Sequence, residues 1–230
     1  MRHLIFSLAA LAFCVASAQA DDRFCGGANF SDGPTLRIGQ IAADAPRVAF
    51  VRNGDLDIRC PSVEPGCRDK AFLVARDLVV IGRRLDEFVC ADYWTAKSAR
   101  SGWLPAIALA PAKVSVNPAD WSGDWTRVEA EIKIINTGGV LKAQGSATYG
   151  ALDPDRVKRG GVNLGEFSGP LVLADGQATF ADKDVDPSKP DSFGCRVRLA
   201  LAGDSLFVQD NGQCGGANVS FTGLYRRAGK

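Results

Sequence analysis

The placement of cysteine constrains this chain more than any other feature. Of the seven cysteines, Cys14 falls in an apolar N-terminal run, and Cys25, Cys60, Cys67, Cys90, Cys195 and Cys214 are spread over the rest. What they do depends on compartment, and the N-terminus speaks to that. It reads Met1-Arg2-His3, an apolar run from Leu4 to Ala16, then Ser17-Ala18-Gln19-Ala20. A short basic region, a hydrophobic stretch and a small-x-small site form a secretory signal. The run is too short to cross a bilayer core, which takes about 20 residues. Residues 1–20 are therefore expected to be a signal peptide cleaved after Ala20, leaving a periplasmic or secreted protein. A lipid on Cys14 is the rival reading, but bulky Phe13 stands where that signal needs a small residue.

Six cysteines in an exported chain read as disulfides, in any of 15 connectivities. Cys60 and Cys67 flank Pro61-Ser62-Val63-Glu64-Pro65-Gly66, a loop able to close on itself. Cys195 and Cys214 flank an expected hairpin, which leaves Cys25 with Cys90. Each bridge contributes about 2–4 kcal/mol, chiefly by restricting the unfolded chain. A zinc site would need histidine or a close Cys-x-x-Cys pair, and neither remains, because the one His and the one Met leave with the signal. Arg2 leaves too, so 27 cations become 26 against 26 acids. A balanced charge gives no electrostatic reason to expect nucleic acid or an anionic membrane as partner. No later stretch is long and apolar enough to span a bilayer. No cofactor or metal is expected.

The mature length allows one or two domains. A stretch rich in small residues and proline, from Pro105 through Pro111 to Pro118, predicts an extended connector. The expected division is 21–110, a linker at 111–119, and 120–230. Before the connector, short β-rich runs alternate with turns: 47–51, 71–74, 78–81, 88–91 and 102–104. No helical period persists, so a small barrel or sandwich is expected. After it, Val128, Ala130, Ile132 and Ile134 face one way, and Glu129, Glu131 and Lys133 the other. Further runs stand at 140–143, 146–149, 171–173, 178–180, 197–201, 205–208 and 219–222. Gly138-Gly139, Asp175-Gly176, Gly203-Asp204 and Asn211-Gly212 separate them. Seven or eight strands in tight succession predict an up-and-down antiparallel barrel or sandwich. The class is all-β. Residues 182–192 read as a long polar loop.

Two families are resembled. Leu56-Asp57-Ile58-Arg59-Cys60-Pro61-Ser62, then Phe72 to Ile81, then Gly102-Trp103-Leu104-Pro105 and Leu109, resemble in order and spacing the bacterial SH3-like domain over roughly residues 46–110. The Cys60–Cys67 loop is a departure, standing where that family has a Gly-Pro turn. The resemblance implies a groove that contacts cell-wall peptide or a protein partner. In the second half, Trp121-Ser122-Gly123-Asp124-Trp125 and Gly223-Leu224-Tyr225-Arg226-Arg227 resemble the Gly-x-Trp start and late Arg of the lipocalin and avidin barrels. That implies an end closed by Trp125 under Arg226, a cation–π contact.

One pentapeptide recurs: Cys25-Gly26-Gly27-Ala28-Asn29 and Cys214-Gly215-Gly216-Ala217-Asn218. It reads as turn chemistry reused after a cysteine, glycine and asparagine supplying positive φ. A Cys25–Cys214 bridge or a paired surface is the sharper alternative. Both copies start Asn-x-Ser sequons, which matter only in a glycosylating host.

Without histidine the Ser-His-Asp and Cys-His machineries are absent. Lys158-Arg159-Gly160-Gly161 lacks the order of a phosphate loop. Carboxylate pairs are the remaining enzymatic option; Asp120 and Asp124 read as turn residues, Glu129 and Glu131 as a solvated strand face. Asp182, Asp184 and Asp186 lack the glycine and closing glutamate of a calcium loop. Tyr93, Trp94 and Trp103 are the candidate ligand-binding aromatics, Tyr93-Trp94 as exposed anchors and Trp103 more as core. The expectation is a non-enzymatic envelope binding module, with a small-ligand carrier or inhibitor acting through the second barrel as the alternative.

Overall fold

Alternating apolar and polar residues broken by Gly and Asp turns favour strands. The computed structural model describes residues 23–45, 47–55, 57–95, 98–185 and 193–229, and holds two antiparallel β units, one open and one closed. The signal segment 1–20 and part of the 182–192 loop lie outside the described residues.

The open unit contains β1 (Arg37–Ile41), β2 (Val48–Val51), β3 (Arg68–Leu73), β4 (Leu78–Leu85), β5 (Phe88–Trp94), β6 (Ala99–Pro105) and β7 (Leu109–Pro111). Their order, β3-β2-β6-β5-β4-β1-β7, makes a half-barrel with edges at β3 and β7. β5 lies at its centre and is buried on both faces. Ala91 and Tyr93 join Phe50, Leu73, Val79 and Leu104 on one side; Cys90 joins Cys25, Val51 and Trp103 on the other. Edge β3 is blunted: its register with β2 shifts between Ala49 and Val51, Arg68 and Lys70 are exposed, and the Asp69 carboxylate accepts from Ala71 N. Charges and a register break of this kind discourage edge-to-edge pairing.

The closed unit contains β8 (Gly123–Arg127), β9 (Ala130–Thr137), β10 (Val140–Tyr149), the short helix α1 (Pro154–Lys158), β11 (Asn163–Ala174), β12 (Gln177–Ala181), β13 (Arg196–Ala202), β14 (Ser205–Asp210) and β15 (Gly223–Arg227). Each strand pairs with the next, and β15 returns to β8 to close an eight-stranded up-and-down barrel. Here two expected runs, 140–143 and 146–149, are one ten-residue strand. The run at 171–173 is the end of a twelve-residue one. The reason is glycine facing inward. Gly145 stands directly across from Phe167, and a β-carbon there would run into the ring. Gly169 makes room for Phe180 in the same way. The Phe167 ring then sits 5.0 Å from Phe180 and 4.9 Å from Phe221, so large rings fill the interior opposite small residues. The expected strand at 219–222 is instead a loop whose Val219 and Phe221 are buried in the barrel core.

β13 and β14 are buried on both faces. Their inner residues enter the barrel core, while Ala200, Ala202 and Phe207, with Leu224, pack outward against Leu36, Ile38, Val80 and Trp94 of the half-barrel. The stretch 111–119, expected as an extended connector, is bonded into this seam. Ala112 N donates to Ile38 O at 3.1 Å and Ser115 N to Leu201 O at 2.7 Å, and Val114 packs into the shared cluster. A strap, residues 24–33, crosses the same seam. The Arg198 guanidinium lies 3.6 Å from the Phe30 ring centre and donates to Phe30 O (2.8 Å) and Gly33 O (2.7 Å). Gln209 Nε2 donates to Ala28 O at 2.9 Å.

Three disulfides close the fold: Cys25–Cys90, Cys60–Cys67 and Cys195–Cys214. A Cys25–Cys214 bridge is thereby ruled out. Among the described residues, no helix is long and apolar enough to cross a membrane.

Candidate functional site

The aromatics singled out in the sequence are structural or half-covered. Trp103 is fully buried, donates from Nε1 to Arg23 O at 2.9 Å and lies under the Arg83 guanidinium. Trp94, expected as an exposed anchor, is only 5% exposed. Its ring meets Phe207 across the seam at 6.2 Å, so it joins the two units. Tyr93 is half-buried against the inner cluster of the half-barrel. Its neighbour across the β5–β6 pair is Arg100, which ion-pairs with Asp69 at 2.6 Å. The three do not form one groove.

At the barrel end, Trp125 is stacked by Arg227, 4.3 Å from the ring centre, and not by Arg226. Neighbours on a strand face opposite ways. Arg226 therefore points to the outside, donating to Ser205 Oγ at 2.5 Å, while Arg227 reaches over the barrel end to Ser122 O and Asp120 O.

The two copies of the pentapeptide do different work. Gly27 has φ +105° and lies against the buried Asp92 carboxylate, which accepts from Ala28 N at 2.8 Å. Burial pushes the Asp92 carboxyl above the ordinary carboxylate range. In the second copy, Gly215 bridges to Gly165, where any β-carbon would meet backbone, and Asn218 holds φ +64°. Both stand beside a disulfide, the first against side chains and the second against backbone.

The barrel wall farthest round from the seam carries a concave polar surface. Strand register lines up two outward rows across β8, β9, β10 and β11: Asp124, Lys133, Gln144 and Ser168, then Thr126, Glu131, Ser146 and Glu166. They surround a depression of about 360 Å³ whose floor is formed at Trp125, Ile132, Gly145 and Phe167. A second depression of about 330 Å³ shares Thr126, Glu131 and Ser146 and continues past Arg127, Glu129 and Thr148. The two form one groove. Ser146 Oγ lies 3.2 Å from Glu131 Oε1 and donates to it. Glu129 is not on a strand face; it occupies the β8–β9 turn at φ +58° and accepts from Ala151 N at 2.7 Å.

Glu131 and Glu166 flank Ser146, two strand spacings apart, or about 10 Å at the backbone. The groove is open, and Asp124, Glu131 and Glu166 are all exposed. Elsewhere, Asp120 accepts from Ser115 Oγ at 2.6 Å, and Asp182 accepts from Cys195 N at 2.8 Å. Asp184 is exposed and Asp186 is outside the described residues. Among the described residues, no three His, Cys, Asp or Glu side chains are placed to hold a metal.

No family model, curated protein or solved structure matches the chain. The groove was missed in the sequence because its residues come from four strands. The available signal was the alternation of outward Glu131, Lys133, Gln144 and Ser146 along β9 and β10.

Proposed function

We propose that this is an exported, non-catalytic binding protein of the cell envelope that holds an extended polar ligand, a cell-wall peptide, along the groove on β8–β11. The observation that carries the reading is the groove itself. Two registered rows of acids, amide, hydroxyls and one lysine face solvent on the free side of a closed barrel. Convergent polar groups in a concavity are what a ligand site requires. The three disulfides support export, since such bridges persist in oxidising compartments. The signal-like N-terminus supports it too. The carrier alternative, with a small ligand inside the barrel, has less room, because rings of Phe167, Phe180 and Phe221 meet at the centre.

The test is co-sedimentation of the whole mature chain with purified peptidoglycan. Wild-type protein is expected to sediment, and Glu131→Lys with Glu166→Lys to remain in solution with an unchanged thermal midpoint. Equal sedimentation of both would move the site off the groove. A wild-type protein that stays in solution would end the cell-wall reading.

A further inference from the structure

The connection between β10 and β11, residues 150–162, carries the short helix α1 and exposed apolar side chains. Leu152 is 71% exposed, Val157 53%, and Leu164, at the start of β11, 65%. Tyr149 adds a ring at the base, with the Arg156 guanidinium 4.6 Å from its centre. Single exposed apolar residues need no explanation, but three in and beside one short connection do.

The tip carries three cations and two acids. Its cations, Arg156, Lys158 and Arg159, all come from the end of α1 and the turn after it. Its acids are Asp153 and Asp155. The Asp153 carboxylate caps α1, accepting from Asp155 N (2.9 Å) and Arg156 N (3.2 Å), and both Asp153 and Asp155 are exposed. Glu129 is engaged below, on Ala151 N. Lys158 and Arg159 are exposed beside exposed Val157. The zero net charge of the mature chain conceals this local pairing of apolar surface with cations.

We infer that the β10–β11 tip docks on an anionic lipid surface, its leucines and valine entering the headgroup boundary and Lys158 and Arg159 meeting the lipid phosphates. A protein partner fits less well. Stable protein interfaces bury about 800 Å² on each side, and three or four exposed apolar side chains supply only a fraction of that. A bilayer boundary accepts a few inserted apolar side chains with basic residues at headgroup level. The inference is independent of what the groove holds.

The experiment is flotation of the whole mature chain with phosphatidylcholine vesicles, with and without phosphatidylglycerol. Binding is expected only to the anionic vesicles, and to fall about fivefold for each cation removed in Lys158→Gln and Arg159→Gln. Leu152→Ser with Val157→Ser is expected to abolish it. Val172→Ser, an exposed residue elsewhere on the barrel, should change nothing. All substituted residues are exposed, so thermal midpoints should match wild type and report any variant that misfolds. Absence of vesicle binding would overturn the inference, as would equal binding to uncharged vesicles or full binding by the Leu152/Val157 variant. Cross-linking of the tip to a protein in the absence of vesicle binding would replace it with a protein contact.

Discussion

The closed barrel and the open half-barrel face the same problem, short strands whose backbone groups and apolar faces must be covered, and they meet it differently. The barrel has no edges and one continuous core that runs from Trp121 and Trp125 through Phe167 to Phe221 and Tyr225. The half-barrel has two edges and two small clusters on either side of β5. It carries two of the three disulfides, and a strap and the barrel's own wall cover its remaining face. Closure makes the barrel self-sufficient, whereas the half-barrel depends on covalent staples and on its neighbour. Stability should therefore flow one way: damage to the barrel reaches the half-barrel, and damage to the half-barrel stops at the seam.

The largest effect should come from the barrel's centre. Phe167→Ala leaves a cavity opposite Gly145 and loses both ring contacts, which should cost about 3–5 kcal/mol. Urea titration followed by amide exchange should show both units losing protection together. A half-barrel that keeps its wild-type midpoint would break the comparison. Next, Cys25→Ser with Cys90→Ser should cost about 2–4 kcal/mol. Here exchange should quicken in β4, β5 and β6 while β9, β10 and β11 stay protected. Equal loss in β9–β11 would show that the barrel leans on the half-barrel after all.

This asymmetry also explains what could be read from the sequence. The all-β class and the barrel were legible, because alternation and turn residues are local signals; local spacing also pointed to the cysteine pairs found, while 15 connectivities and a Cys25–Cys214 bridge stood open. The full length of β10 and β11 was not. Gly145, Gly165 and Gly169 look like breaks in a sequence, and only the facing rings and backbone reveal them as interior contacts. The seam was half-legible. In Leu206-Phe207-Val208 the apolar run has no polar gap, the mark of a strand covered on both faces. That run hinted that something covers the outside of β14, though not that Trp94 does. Arg226 and Arg227 differ by one position, and a strand's period of two turns that single step into opposite faces. The groove was least legible of all, since register between four strands brings its residues together.

A smaller effect sharpens the role of the strap. Arg198 spends its charge on two carbonyls and the Phe30 face, and burial, with Arg196 beside it, pulls its guanidinium down to about 10. Arg198→Ala should cost about 1–3 kcal/mol through the lost charged hydrogen bonds. Exchange at Asp32 N, which donates to Asn29 O within the strap, should quicken first. If that amide keeps its protection, the strap is held by Cys25–Cys90 and Gln209 rather than by Arg198.

The smallest effect is one of pH, and it tests whether the seam is tuned by a single group. Desolvation raises the Asp92 carboxyl from its ordinary value of 3.8, outweighing hydrogen bonds from Ser101 and Ala28 that favour the anion. The folded protein therefore keeps the Asp92 proton to higher pH than the unfolded chain does. Its contribution to stability is fully present below the ordinary value and is lost as pH rises through the folded one. The exposed pair Asp57–Arg59 acts the other way on its carboxylate, which is lowered to about 2 by the Arg59 hydrogen bonds; its contribution is lost only in strong acid. Asp92→Asn keeps an oxygen for Ala28 N and removes the titration. Relative to wild type, the variant should gain thermal midpoint as pH rises from about 4 to 7 and match it near the low end. A constant difference across that range would mean that Asp92 does not titrate in the seam, and that strap and barrel are held by geometry alone.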